Sequence, residues 1–160
     1  MAVPDLSGLL GALLDEEVEF VLIGGVAVAA HGFLRATEDV DLVPAPDREN
    51  LDRLVKRLVR EGARLTLAPH RVPGPEERGA LYRGRNLSLS TPLGDVDIVQ
   101  RLPGVPPYAE LAGRALEISP FGMEVKVASR EDLIAMKRSR ARPIDLADLE
   151  RLEGAGEARD

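Results

Sequence analysis

Asp39 and Asp41 flank Val40 and are followed by Leu42, the acid–apolar alternation of a strand buried on one face. Both carboxylates then project one way while Val40 and Leu42 project into a core. Cα atoms two residues apart on a strand are about 6.6 Å apart, so the two side chains can converge on one or two hard cations. Upstream, Gly24-Gly25 closes an apolar run and leads into the small residues Val26 to Ala30. A helix starting there offers free backbone N–H groups that favour phosphate. Paired glycines alone are turn punctuation, and a lone Asp-x-Asp is common on surface strands. An anion site and a cation site within one short strand–helix–strand unit point instead to metal-assisted chemistry on a phosphate ester.

The elements that must position these residues follow from periodicity and punctuation. Leu9, Leu10, Leu13 and Leu14 predict a helix over 6–14, and 18–23 reads as the first strand. The short helix after Gly24-Gly25 covers 26–30, with Gly32 as its C-terminal cap. His31 either interacts with that helix C-terminus or serves as a ligand or acid–base group. Pro44 and Pro46 end the second strand, and Asp47 caps a helix reaching about Glu61 whose buried stripe is Leu51, Leu54, Val55 and Leu58. Its other faces carry Arg53, Lys56, Arg57 and Arg60, by default a solvated face, otherwise a strip for RNA or a partner. A short strand at 64–67 and a long loop over 68–79 come next. Arg71, Arg78, Arg83 and Arg85 gather near that loop as partners for an acceptor or a triphosphate tail. Strands are predicted at 87–91 and 95–100, a short helix at 108–111, and a hairpin from 115–118 and 123–127. Ser129 opens a further helix. Pro143 starts the last one, over 144–152.

Composition narrows the class. The chain has 160 residues, 44% of them hydrophobic but only 3% aromatic, so its core is aliphatic and one domain is expected, over 1–153, with a flexible tail at 154–160. There is no cysteine, which removes disulfides, thiolate zinc sites and cysteine nucleophiles. A net charge of −6 argues against non-specific nucleic-acid binding by the whole surface but leaves room for a local basic patch. No apolar run approaches the length of a membrane span. The start of the chain lacks a signal peptide's basic lead, and a cytoplasmic location is expected.

Gly24-Gly25, His31-Gly32, Arg35, Thr37 and Asp39-Val40-Asp41-Leu42 together resemble the nucleotidyltransferase superfamily, which shares its catalytic fold with DNA polymerase beta, and in particular its small abortive-infection-type toxin branch. The resemblance continues through Gly94-Asp95-Val96-Asp97-Ile98-Val99, Glu131 to Lys137 and Arg142 to Leu149, and so covers about Glu19 to Leu152. It implies an α/β fold, a mixed twisted sheet flanked by helices. It also implies a third carboxylate, matched by Asp97, with Asp95 on the same face able to assist. Asp39, Asp41 and Asp97 would hold Mg2+ or Mn2+, while Gly24, Gly25, Arg35, Thr37 and Lys137 would bind the nucleotide. Arg35 could instead pair with an aspartate, and Lys137 could be a solvated lysine. Asp145 and Asp148 have a structural reading too, as helix caps or partners of Arg142.

The implied activity is transfer of a nucleoside monophosphate from a nucleoside triphosphate such as ATP, by a two-metal mechanism. The acceptor would be RNA such as tRNA, a protein hydroxyl or a small molecule, and an antitoxin would be the neutralising partner. The alternative is a member of the same fold that binds nucleotide or a partner protein without transfer. Metal-dependent glycosyltransferases also use Asp-x-Asp, but they leave Gly24-Gly25 and Asp97 without a role.

Overall fold

The computed structural model describes residues 3–32 and 37–157. Arg35 therefore lies outside the described residues, as do the last three residues of the expected tail. The elements run α1 (Leu6–Asp15), β1 (Phe20–Ile23), α2 (Gly24–Ala30), β2 (Asp39–Pro44), α3 (Arg48–Arg60), β3 (Arg64–Leu65), α4 (Pro75–Tyr82), β4 (Leu87–Thr91), β5 (Gly94–Ile98), α5 (Tyr108–Arg114), β6 (Leu116–Ile118), β7 (Val125–Val127), α6 (Arg130–Arg140) and α7 (Pro143–Glu157). The strands form one mixed sheet in the order β3-β4-β5-β2-β1-β7-β6, the expected α/β architecture. β1–β7 and β2–β5 are the parallel pairs and the other neighbours are antiparallel.

Strand alternation divides this sheet into a packed face and a face that carries chemistry. Val40 and Leu42 of β2, Val96 and Ile98 of β5 and Leu89 of β4 are fully buried. They share one aliphatic cluster with Leu51, Leu54, Val55 and Leu58 of α3 and with Leu9, Leu10 and Leu13 of α1. Truncating any one of these leucines to alanine removes about 2–5 kcal/mol of stability. The opposite parity carries Asp39, Asp41, Asp95 and Asp97.

Local signals explain most element ends. Asp47 accepts from Asn50 N at 3.1 Å and starts α3. Ser129 accepts from Asp132 N at 3.1 Å and starts α6. Gly32, at φ 92°, takes the left-handed position after α2. Two expectations are corrected. The stretch read as a long loop contains α4, whose first residue, Pro75, has a ring that pre-sets the first helical φ; Glu77 accepts from Gly74 N at 2.8 Å. The last helix runs past residue 152 to Glu157. The basic strip of α3 is largely engaged within the chain. Arg57 pairs with Asp15 at 2.8 Å and Glu61 at 2.9 Å, and Arg60 and Lys56 reach Glu16 at 3.6 and 3.9 Å.

Candidate active site

Parallel pairing of β2 with β5 puts Asp39 beside Asp95 and Asp41 beside Asp97. The structure gathers three of these four acids. Asp39, Asp41 and Asp97 each offer a carboxylate oxygen, and the three oxygens lie within 4.8 Å of one another. Two ligands on opposite sides of one hard cation are at most about 5 Å apart, so the group fits one or two such ions. The donors are all oxygen, which suits magnesium, manganese or calcium and not the soft metals. Asp95 is exposed and outside the group.

Crowding gives Asp41 an unusual charge state. Burial pushes its carboxyl up, the neighbouring Asp39 charge adds to this, and the hydrogen bond and charge of Asp97 add further; Arg140 opposes them, and the net value is about 7. Near neutral pH the metal-free Asp41 is therefore divided between its protonated and ionised forms, and a bound cation would favour the ionised one.

Three neighbours shape the carboxylates. Ile23 pairs with Asp41 across β1 and β2, and Gly24 follows at φ 70°. A Cβ on Gly24 would lie 2.8 Å from Asp41 Cγ and closer still to Oδ2, so only glycine leaves room for this carboxylate. The hydroxyl of Thr37 lies 3.0 Å from Asp39 Oδ1, and Ser88 Oγ on β4 donates to Asp97 Oδ1 at 2.6 Å.

Facing the acids is one side of α6. Leu133, Met136, Lys137 and Arg140 follow helical spacing and line a pocket of about 220 Å³ together with Gly24, Asp41, Ser88 and Asp97. Leu102 and Val105 close it on the apolar side. The lining is therefore acidic at Asp41 and Asp97, cationic at Lys137 and Arg140, and aliphatic at Leu102, Val105, Leu133 and Met136.

A sequence model of the family described as "Nucleotidyl transferase AbiEii toxin, Type IV TA system" matches residues 9–153. The chain belongs to this AbiEii family. Solved structures agree on the fold. The antibiotic-resistance factor ANT(2'')-Ia is 17% identical, with 96% of this chain and 90% of that one covered and a TM-score of 0.57. An antigenic nucleotidyltransferase-like protein of Paracoccidioides brasiliensis is 21% identical over 91% and 72% of the two chains, with a TM-score of 0.56. A protein of Thermotoga maritima is 17% identical over 98% and 94%, with a TM-score of 0.51. No curated protein matches the chain. The acidic group is the feature expected of a nucleotidyltransferase that works through bound divalent cations.

The remaining residues singled out from the sequence sort differently in this AbiEii-family chain. Lys137 is only 4% exposed, and its ammonium lies 3.3 Å from Asp145 and 3.2 Å from Asp148, both fully buried. It is not a solvated lysine. Arg142 grips Asp145 from its side chain at 2.7 and 3.2 Å and from its backbone N at 3.1 Å. Burial works to raise the Asp145 pKa, but these bonds and the charge of Lys137 outweigh it and hold the group at about 2. Because Lys137 still lines the pocket, and an ammonium has three donors, a substrate phosphate can share it. His31 Nε2 lies 3.0 Å from the Ala128 carbonyl and ties the end of α2 to the end of β7, and His31 does not line the pocket. Arg71 is engaged by Glu76 and Glu77 at 3.5 and 3.0 Å.

Sequence reasoning missed Arg140 and Ser88. Arg140 was visible as the fourth member of the 133, 136, 137, 140 face. Ser88 looked like the exposed side of an alternating strand, and only the register of β4 against β5 gives it a partner.

Proposed function

We propose that the chain transfers a nucleoside monophosphate from a nucleoside triphosphate to a hydroxyl of RNA, using Mg2+ or Mn2+ held by Asp39, Asp41 and Asp97. The observation that carries this reading is the oxygen-only acidic group facing Lys137 and Arg140 across one pocket. The divalent ions would neutralise charge on the phosphates and acidify the attacking hydroxyl. Asp97, at the β4 side of the group, accepts the acceptor's proton. Gly24 and Gly25 at the start of α2 bring backbone N–H groups to the triphosphate, and Thr37 fixes Asp39. Lys137 and Arg140 offset the phosphate charge, Arg140 through its planar fork of donors. The aliphatic lining takes the less polar part of the nucleotide.

A local basic patch supports RNA as acceptor. The Arg101 guanidinium lies over Gly84, within 3.2–3.5 Å of where a Cβ would stand, between Arg83 and Arg85 in sequence. None of these three arginines has an ion-pair partner among the described residues, and Asn86, which lines the pocket, bonds the Arg101 backbone at 2.9 Å. Phosphodiesters are the ligand such a patch attracts on a chain of net charge −6. Among the described residues, no helix is long and apolar enough to cross a membrane. We place the activity in the cytoplasm; opposition by an antitoxin is supported by the family description, a toxin of a type IV TA system.

The test is incubation with each labelled nucleoside triphosphate, Mg2+ and total RNA or lysate. Pyrophosphate release with label on RNA is expected, and Asp41→Asn should remove both. Label on protein or a small molecule would replace the acceptor. Magnesium-dependent nucleotide binding without pyrophosphate release under any acceptor would establish a binder instead of a transferase.

A further inference from the structure

The two outer acids of the group are each held by a hydroxyl. Thr37 stands at Asp39, and Ser88 stands at Asp97. The second contact is the tighter, at 2.6 Å, within the range of a hydroxyl donating to a charged carboxylate. Ser88 and Asp97 are direct cross-strand partners, and Ser88 lines the same pocket as the acids. This is not a general habit of β4. Ser90, on the same face and opposite Asp95, lies 3.2 Å from the Thr66 hydroxyl. The hydroxyl–acid contact on this strand occurs at the acid that joins the metal-binding group.

Sheet order gives the contact a direction. β4 and β2 lie on opposite sides of β5. An Asp97 carboxylate anchored through Oδ1 toward β4 presents its other oxygen toward β2, where Asp39 and Asp41 stand. Without that anchor, repulsion from the Asp39 carboxylate, joined by Asp41 whenever it is ionised, favours rotamers that swing Asp97 out into solvent. We propose that Ser88 is a positioning residue that orients Asp97 for cation capture, a role resting on the reading of Asp97 as a ligand. Partners that orient ligating carboxylates typically contribute 10–100-fold in metal affinity.

The experiment compares Ser88→Thr with Ser88→Val, two side chains of nearly the same shape that suit a strand and differ in the hydroxyl. Mn2+ alone is titrated into the protein without nucleotide and followed by electron paramagnetic resonance, with Asp97→Ala as reference. Ser88→Thr should bind Mn2+ as the wild type does. Ser88→Val should bind about 10–100-fold more weakly. Transfer by Ser88→Val should need more metal, with kcat largely recovered at saturation. Equal Mn2+ affinity for Ser88→Thr and Ser88→Val, with affinity lost in Asp97→Ala, overturns the role of Ser88 and leaves the acidic group intact. Wild-type affinity in Asp97→Ala as well overturns the ligand assignment beneath it.

Discussion

Two sets of buried or half-buried aspartates, one on the sheet and one on α7, differ in what answers their charge. On β2 and β5, Asp41 sits among Asp39 and Asp97 with Arg140 as the cation that opposes them, and its carboxyl is pushed up to about 7. On α7, Asp145 has no exposed surface, yet it is held at about 2 by Arg142 and Lys137. The difference is that the α7 acids come with Lys137, Arg142 and, 3.8 Å from Asp148, Arg151, while the acids of the sheet come with each other. Charge matched within the chain holds α6 and α7 together. Among the described residues, the acids of the sheet meet Arg140 and no ion pair of their own, an arrangement set up for a cation from outside.

Breaking the unmatched set should cost function and not fold. Asp41→Asn should lower transfer on the order of 10³-fold or more, since several kcal/mol of transition-state stabilisation depend on the ions it holds. Above pH 7, where Asp41 ionises, the metal-free variant should melt no lower than the wild type, because one of three mutually repelling charges is gone. A variant with wild-type pyrophosphate release would end the comparison.

Breaking the matched set should do the opposite. Asp145→Ala takes one of two carboxylates from the buried Lys137 ammonium and the partner of the half-exposed Arg142, at a cost of about 2–3 kcal/mol in stability. Urea unfolding measures this, and a loss below about 1 kcal/mol would show that the α6–α7 cluster is not the structural one.

Acid–base behaviour sharpens the contrast. The folded Asp41 pKa of about 7 lies above its ordinary value of 3.8, so the folded chain binds more protons than the unfolded chain between these limits. Metal-free stability should therefore fall as pH rises from about 4 to 7, by on the order of 1–3 kcal/mol. Saturating Mg2+ should remove that slope by displacing the proton. Asp145, lowered to about 2, contributes stability that is fully present above about 4 and lost as pH falls toward 2. Thermal melts across pH, with and without Mg2+ and in Asp41→Asn, separate the two windows. A 4-to-7 slope that persists in Asp41→Asn would assign it to another group.

The two sets also differed in how far they could be read from the sequence. Asp39 and Asp41 share a face because strand periodicity says so, and Gly24 was visible as punctuation, although its closeness to Asp41 was not. Asp97 followed from a family pattern. Its register against Asp41 depends on a long crossover that periodicity does not describe. The Lys137 cluster was legible only as alternatives, because its partners lie on the next helix, across a turn in which Ala141 takes a left-handed conformation, φ 50°. Proline and glycine around 73–75 suggested a loop and concealed α4, where the same proline begins the helix. The basic residues of α3 looked available until the end of α1 was seen beside them.

The parallel pairing of β2 with β5 has a consequence for how the protein comes into being. Its two strands are separated in sequence by α3, β3, α4 and β4, and parallel neighbours require such a crossover. Non-local pairings of this kind close late, after the intervening chain has been made and its loop entropy overcome. A nascent chain that has emerged only as far as β4 therefore carries Asp39 and Asp41 but has no third acid to complete the group. α6, with Lys137 and Arg140, emerges later still. A ribosome that has not yet delivered β5 and α6 holds an inert segment, and the activity comes into existence only once both have joined the sheet that carries Asp39 and Asp41.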